Sequence, residues 1–330
     1  MAQELLEIKD LTVGFLTEKG FVRATDRISL SLPKGQTLCV VGESGSGKSV
    51  ASLAVMRLID YAGGVIAEGE VHFQGQDLTV KSQEEMRRIR GNKITMVFQD
   101  PMSALNPVFT VGEQIAESLR LHKQLSAGAA WSRVIDMLRL VGIPDPEVRA
   151  RQYPHEMSGG MCQRVVIAMA LACDPELVIA DEPTTALDVT VQAQILELMQ
   201  KLKREMGMSI LLITHDMGVA AEMADRIAVM YAGVIVEEGT AEDIFERSRH
   251  PYTHGLLKSI PGLSGERGTE LYAIQGNIPR LGELPAGCRF SPRCPFAAER
   301  CFREEPPLLP TPDGHRSACW LESGPEVKTS

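Results

Sequence analysis

The sequence predicts an α/β fold with a parallel central sheet. Nearly continuous apolar runs, typical of strands buried on both faces, lie at 37–41, 177–180 and 210–213. Helical periodicity occurs at 48–59, 112–124, 129–141, 161–173 and 190–206. Strands that alternate with helices indicate a parallel sheet covered by helices.

Smaller parts are predicted around this core. Alternating apolar residues at 6–15 and 27–32, the second followed by the turn Pro33-Lys34-Gly35, predict an antiparallel β subdomain. We place an α-helical subdomain at about 100–170. Pro, Gly and Cys become frequent after about residue 250. We therefore expect a main domain at 1–248 and a small Cys-rich C-terminal extension at 249–330.

Composition excludes several classes of protein. The chain has 330 residues, 44% of them hydrophobic, and it has no run of the roughly 18 apolar residues that a membrane-spanning helix needs. Its acidic N-terminus lacks the features of a signal peptide, so we expect the protein to stay in the cytosol. A net charge of -9 and a pI near 5.4 argue against a nucleic-acid partner.

A phosphate-binding loop is predicted at 42–49, where Gly-Glu-Ser-Gly-Ser-Gly-Lys-Ser fits G-x-x-x-x-G-K-[ST]. An apolar strand precedes it and a helical pattern follows it, as the motif requires. Its glycines let successive N–H groups point at phosphate oxygens, and the helix N-terminus adds partial positive charge. Lys48 would neutralise the β and γ phosphates, and the Ser49 hydroxyl would bind Mg²⁺.

A pair of acids ends the apolar run 177–180. Asp181 and Glu182 are adjacent, so strand alternation sends their side chains to opposite faces. Asp181 is suited to hold Mg²⁺ through water, and Glu182 to polarise an attacking water as general base.

Further motifs complete a resemblance to a known family. Gln99 follows an apolar run, and Ser158-Gly159-Gly160 begins a helix. Ala186-Leu187-Asp188 follows the acid pair, and Thr214-His215-Asp216 ends the last buried run. In this order, over about residues 5–245, the set resembles the ATP-binding-cassette (ABC) ATPases. The resemblance implies a P-loop NTPase with a RecA-like core that binds ATP and Mg²⁺.

The resemblance also implies a role for each matched residue. The loop residues that would bind ATP are Gly42, Glu43, Ser44, Gly45, Ser46, Gly47, Lys48, Ser49 and Val50. Ser49, Gln99 and Asp181 would hold Mg²⁺. Glu182, His215 and Gln99 would serve catalysis, and Phe15 is our candidate for stacking on adenine. Ser158, Gly159, Gly160 and Asp188 would face the nucleotide of an opposing cassette, since two cassettes pair head to tail in this family.

One position departs from the family pattern. Met161 stands where the family commonly has glutamine, directly after the Ser158-Gly159-Gly160 motif that would complete the opposing site. Because Glu182 and His215 are both present, we expect a hydrolytic site rather than a non-hydrolysing regulatory cassette. A soluble ABC ATPase acting on DNA or ribosomes is the other alternative. The segment 50–157 shows no sustained heptads, and one cassette rather than two argues against that class.

The segment from residue 250 onward resembles the dipeptide and oligopeptide importer branch of the family, through His-Pro-Tyr-Thr at 250–253 and the cysteines beyond it. This branch implies uptake of short peptides, although relatives handle nickel or other small solutes. It also implies separate partner chains: a second ABC ATPase, two transmembrane permeases and an extracytoplasmic peptide-binding protein. The chain would then be peripheral, at the cytoplasmic face of the plasma or inner membrane.

The extension carries Cys288, Cys294, Cys301 and Cys319. In a reducing cytosol, four cysteines with two close spacings favour a metal or cluster over disulfides. The spacing is not the C-x2-C of a zinc ribbon. A [4Fe–4S] cluster with a structural role, which is also proposed for this branch, is the favoured interpretation. Zn²⁺, free thiols and disulfides remain alternatives.

Overall fold

The computed structural model describes residues 4–18, 20–185, 187–260, 272–280, 282–311 and 314–321. Within these ranges the chain forms two compact units. The first comprises the residues up to 79 and those from 213 onward, and the second comprises residues 80–212. None of the helices in the described ranges has the length and apolarity needed to cross a bilayer.

The strands, numbered along the chain, are β1 Glu4–Thr17, β2 Gly20–Pro33, β3 Thr37–Val41, β4 Gly64–Phe73, β5 Gln76–Asp77, β6 Ile94–Val97, β7 Leu177–Asp181, β8 Ser209–Thr214, β9 Arg226–Tyr231, β10 Val234–Thr240, β11 Leu309–Pro310 and β12 Arg316–Ser317. The α-helices are α1 Lys48–Val55, α2 Gln83–Ile89, α3 Pro101–Ala104, α4 Val111–Lys123, α5 Ala127–Leu140, α6 Pro146–Arg149, α7 Gly159–Leu171, α8 Val189–Met206, α9 Met217–Met223, α10 Ala241–Arg247, α11 Pro251–Lys258 and α12 Glu299–Arg303.

The first unit contains the antiparallel sheet that the early alternation predicts, in the order β2-β1-β4-β5. Ile8 of β1 faces Leu30 of β2 on one side and Val71 of β4 on the other. All three side chains are buried, because the alternating apolar positions of each strand share one face. The prediction is confirmed, although β1 and β2 both extend beyond the predicted segments.

A second group of strands in the first unit runs in the order β11-β12-β10-β9-β3. β3 and β9 are parallel, with Val40 opposite Ala228, and both strands are almost wholly buried. β9 and β10 form an antiparallel hairpin, and β12 then pairs antiparallel with β10. Residues from beyond position 300 therefore extend this sheet.

The second unit combines parallel strands with most of the helices. β6 pairs with β7 in parallel, with Met96 opposite Ile179, and β8 follows β7 in the strand order. The predicted helical patterns agree with α4, α5, α7 and α8 to within two residues at each end. Ser or Thr caps α4, α5 and α7, and Asp caps α8.

Helix α1, in the first unit, is shorter than its pattern predicts. It ends at Val55, because Arg57 adopts a left-handed backbone with φ of 51°. The buried Ile59, which continued the apolar pattern, belongs instead to a 3-10 turn at Ile59–Ala62. Periodicity alone does not distinguish these two local structures.

The described residues after 248 belong to the first unit. Tyr252 and Phe290 pack against Tyr231 of β9, with ring centroids 4.7 Å and 5.3 Å from it. Burial lowers the pKa of His250 to about 4, so its ring stays neutral. Its Nδ1 accepts a hydrogen bond from the Tyr252 N–H at 3.1 Å, and His250 thereby caps the N-terminus of α11. The boundary near residue 248 remains a prediction.

Buried polar pairs also attach this region to the rest of the first unit. The Arg289 guanidinium donates to the Asp26 carboxylate and to the Ala232 carbonyl. His315 Nε2 lies 2.8 Å from Glu237 Oε1, and both side chains are fully buried. Removing one partner of such a pair leaves an uncompensated buried group, at a cost of about 3–5 kcal/mol for a charge.

Candidate functional site

The loop between β3 and α1 takes the backbone shape that its glycines permit. Gly42 and Gly47 have φ of 155° and 104°. A Cβ atom on Gly42 would lie 2.2 Å from the Met230 carbonyl oxygen, and one on Gly47 would lie 2.6 Å from that of Ala24. Any side chain at either position would therefore displace the loop. The compact turn that the motif predicts is present.

Lys48 is the first residue of α1, and its side chain is held inside the loop. It is 5% exposed. Its Nζ donates to the carbonyl oxygens of Gly42, at 2.7 Å, and Glu43, at 3.0 Å. The ammonium is thus held at the N-terminal end of a helix, where backbone amides and a positive charge favour an anion.

The other predicted loop residues surround this lysine. Ser44, Gly45 and Ser49 are exposed, Gly47 and Val50 are half-buried, and Ser46 is buried. The Ser46 N–H donates to the Glu43 carbonyl at 3.2 Å. The exposed Ser49 hydroxyl lies at the start of α1 and is chemically able to bind a cation such as Mg²⁺.

Glu43 makes contacts that the sequence did not predict. Its N–H donates to the hydroxyl oxygen of Tyr252 at 2.8 Å. Its carboxylate receives two hydrogen bonds from the Arg293 guanidinium, at 2.6 Å and 3.0 Å. In the sequence, the motif at 250–253 indicates only the family branch. For Arg293, the sequence offers no signal beyond its position next to Cys294.

In the second unit, two strands bring Gln99 and the acid pair together. β6 and β7 are parallel with Val97 opposite Ala180, so their carboxyl ends lie at the same edge. Gln99 Nε2 donates to Glu182 Oε2 at 3.0 Å. The Thr185 hydroxyl donates to the same oxygen at 3.0 Å, a role that the sequence did not predict. The Glu182 carboxylate therefore has a defined orientation.

The two acids differ in environment. Asp181 is the buried last residue of β7. Glu182 is half-buried and adopts φ of 48°, a conformation that costs a non-glycine residue of order 1–3 kcal/mol. Such strain often accompanies function. The sequence predicts the pair, but nothing in it indicates this backbone state.

Helix N-termini in the second unit carry the other predicted residues. Ser158 caps α7 by accepting from the Met161 N–H at 3.3 Å. Ser158 and Gly159 are exposed, and Gly160 lies near Val191 of α8. Asp188 caps α8 by accepting from the Val191 N–H at 3.0 Å. Because Met161 makes this contact through its backbone, its unusual side chain leaves the cap intact.

His215 and Phe15 lie in the first unit. His215 is exposed directly after the end of β8, and Ala186, named with the motifs above, lies outside the described residues. Phe15 is half-buried in β1, opposite Val22 and Gly64. A Cβ atom on Gly64 would lie 3.2 Å from the Phe15 ring, so the ring lies close to that backbone.

The four C-terminal cysteines line one cavity of about 90 Å³, together with Phe290, Phe296 and Trp320. The Cys288 N–H donates to the Cys301 carbonyl at 2.8 Å. Burial raises the pKa of Cys288 to about 11 and also raises the pKa values of Cys294 and Cys319. All seven cysteines are free. Within the described ranges, no group of three or more His, Cys, Asp or Glu is placed to hold a metal ion.

Two segments of the chain match models of known protein families. Residues 25–185 match the model of the family described as ABC transporter. Residues 236–301 match the family described as oligopeptide/dipeptide transporter, C-terminal region.

Individual relatives are similar over nearly the whole chain. The oligopeptide transport ATP-binding protein OppD of Bacillus subtilis (strain 168) is 54% identical, with 96% of this chain and 88% of that protein covered. The dipeptide transport ATP-binding protein DppD of the same organism is 51% identical, with 97% and 95% covered. Among solved structures, a dimeric ATP-binding cassette bound to ADP and Pi matches with a TM-score of 0.65 and 29% identity. That match covers 72% of this chain and 98% of the cassette.

Proposed function

This chain belongs to the ABC transporter family, among its peptide-transport ATP-binding proteins, and from that membership we propose that it powers the import of dipeptides or oligopeptides by hydrolysing ATP. The transport pathway would lie in partner subunits. The observation that carries the proposal is similarity to two peptide-transport ATPases over nearly the full chain. Lys48, which hydrogen bonds fix inside the loop, supplies a positive charge for the ATP phosphates. Glu182, which Gln99 and Thr185 orient, supplies a carboxylate for hydrolysis.

Nucleotide binding would fall to the loop at 42–50 and to the start of α1. Its backbone amides and Lys48 would hold the ATP phosphates, and Phe15 would contact the adenine. Ser49, Gln99 and Asp181 are the residues that would hold Mg²⁺, which neutralises phosphate charge when bound.

Hydrolysis would depend on Glu182, whose carboxylate oxygen already accepts two hydrogen bonds. We propose that it polarises the attacking water as general base. Gln99 would keep this carboxylate oriented and sense the nucleotide. His215 would hold the γ phosphate against that water. Positioning and charge stabilisation account for most of the catalysis of phosphoryl transfer.

The partners follow from the same proposal. A second ABC ATPase subunit would present its own phosphate site to Ser158, Gly159, Gly160 and Asp188 of this chain. The exposed N-terminus of α7 offers amide groups and partial positive charge to such a nucleotide. Two transmembrane permeases and an extracytoplasmic peptide-binding protein would complete an assembly in which this chain is peripheral, at the cytoplasmic face.

We propose further that Cys288, Cys294, Cys301 and Cys319 hold a [4Fe–4S] cluster. Four thiols around one cavity are the donor set that such a cluster uses. The spacing of the four cysteines, which is not the C-x2-C of a zinc ribbon, favours this cluster over Zn²⁺. The cluster would stabilise the C-terminal region.

The cluster proposal is tested by metal analysis after anaerobic purification. We expect about four iron and four sulfide per chain, both lost in Cys301→Ser together with part of the thermal stability. Cys173→Ala, a change at a buried cysteine outside this cavity, serves as the control and should keep its iron. Zinc in place of iron would favour the alternative, and finding neither metal would remove the proposal.

The import proposal is tested in proteoliposomes that contain the permeases, both ATPases and the binding protein. We expect ATP-dependent accumulation of labelled dipeptides or oligopeptides, because the relatives similar over nearly the whole chain are oligopeptide and dipeptide transport ATP-binding proteins. Labelled nickel is the comparison, since some members of the branch carry it. Nickel accumulation without peptide accumulation would contradict the proposed substrate class.

A further inference from the structure

We propose that Arg293 and Tyr252 are positioning residues of the phosphate loop, which fix Glu43 so that its charge is paired and Lys48 is held for nucleotide. This inference rests on the ATP-binding part of the proposed function. It assigns residues of the C-terminal region to the nucleotide site of the first unit.

Glu43 is held at three points. Tyr252 accepts from its N–H, Arg293 donates twice to its carboxylate, and Lys48 donates to its carbonyl. Glu43 alone therefore connects Arg293 to Lys48 through hydrogen bonds. Since Glu43 follows the tightly enclosed Gly42, moving it would also move the lysine's other acceptor. A loop fixed in its binding shape loses less entropy when a ligand arrives.

Arg293 is itself well anchored. Its side chain is 4% exposed, against 32% for that of Glu43. Besides the two bonds to Glu43, it donates to the carbonyls of Ile274 and Gln275, at 3.2 Å and 2.9 Å. Its guanidinium lies 5.7 Å from the centroid of the Tyr231 ring. A bidentate guanidinium so enclosed gives a geometry that lysine does not reproduce.

The ion pair between Arg293 and Glu43 matters for nucleotide binding because of its charge. Glu43 places a carboxylate inside a loop whose proposed ligand is a polyanion, and like charges in a partly dehydrated site repel strongly. Arg293 neutralises that carboxylate through its two hydrogen bonds. Loss of Arg293 should therefore weaken nucleotide binding more than loss of both charged partners.

The experiment measures the Kd of MgADP by calorimetry on the full chain, and the KM and kcat for ATP on the assembled complex. We expect Arg293→Met to raise Kd and KM about tenfold or more, a typical size for coupling between sites, with kcat little changed. Glu43→Gln combined with Arg293→Met should restore most of the affinity, because the unpaired negative charge is gone. Arg293→Lys should give an intermediate loss, and it remains informative if the methionine variant does not fold.

Two controls separate this inference from the proposed function. Arg303→Met removes an arginine whose ion pair with Glu299 is 73% and 79% exposed, and it should leave Kd unchanged. Lys48→Ala should raise the Kd of MgADP about a hundredfold whatever residue stands at 293, and an unchanged Kd would contradict the nucleotide site itself. If Arg293→Met and Arg293→Lys both bind MgADP with the same Kd as Arg303→Met, the inference is overturned. It is also overturned if the double variant binds MgADP no more tightly than Arg293→Met does.

Discussion

Replacing Glu182 by glutamine is expected to leave ATP bound and to reduce its hydrolysis by about 10²–10⁴-fold, the usual contribution of a general base. Glutamine keeps the shape of the side chain, and its amide oxygen can still accept from Gln99 and Thr185. Stability should therefore change little, whereas the basic carboxylate is lost. The measurement is phosphate release by the assembled complex, together with the fraction of closed, ATP-loaded ATPase pairs, which should rise.

The control for this variant is Glu197→Gln, an exposed acid on α8 of the same unit, which should hydrolyse ATP normally. Normal hydrolysis by Glu182→Gln would show that another group is the base. A second experiment inactivates the ATP site of the partner ATPase and leaves Glu182 unaltered. If that complex releases no phosphate, this chain is a regulatory cassette rather than a motor.

Replacing Lys48 by alanine is expected to weaken ATP binding by about a hundredfold, since truncating a desolvated charged partner costs of order 2–5 kcal/mol. The lysine is 5% exposed, so its positive charge acts in a partly dehydrated site. The change also removes the donor to the carbonyls of Gly42 and Glu43 that holds the loop together. Fluorescent-nucleotide titration of the full chain measures this loss.

Lys34→Ala, at an exposed lysine in the turn after β2, is the matched control and should bind ATP normally. A reconstituted assembly that carries Lys48→Ala in this subunit should also lose ATP-driven uptake. Uptake at the normal rate would contradict the central role given to the loop.

Local patterns account for what the sequence could predict. The phosphate loop was found because glycines, lysine and serine stand at fixed spacings between a strand and a helix. The acid pair was found because four apolar residues run directly into it. In both cases the functional residues are neighbours in the chain, so their spacing survives folding unchanged. The helix limits were close for the same reason, since caps such as Ser158 and Asp188 lie next to the elements that they begin.

Contacts between distant segments were not predictable in this way. Arg293 and Glu43 are 250 positions apart, and their pairing depends on where Tyr252 and Phe290 pack. The left-handed backbone at Glu182 is equally hidden, because non-glycine residues rarely adopt it and no pattern marks it. Thr185 was missed since hydroxyl residues are common in turns without any chemical role.

The pairing of β12 with β10 and the buried pairs Asp26–Arg289 and Glu237–His315 have a consequence for shortening the chain. A version cut after α11 would lose β12, Arg289 and His315 together. The edge of β10 would then lie open, and an open strand edge is a site at which another chain can pair. We expect such a shortened protein to aggregate.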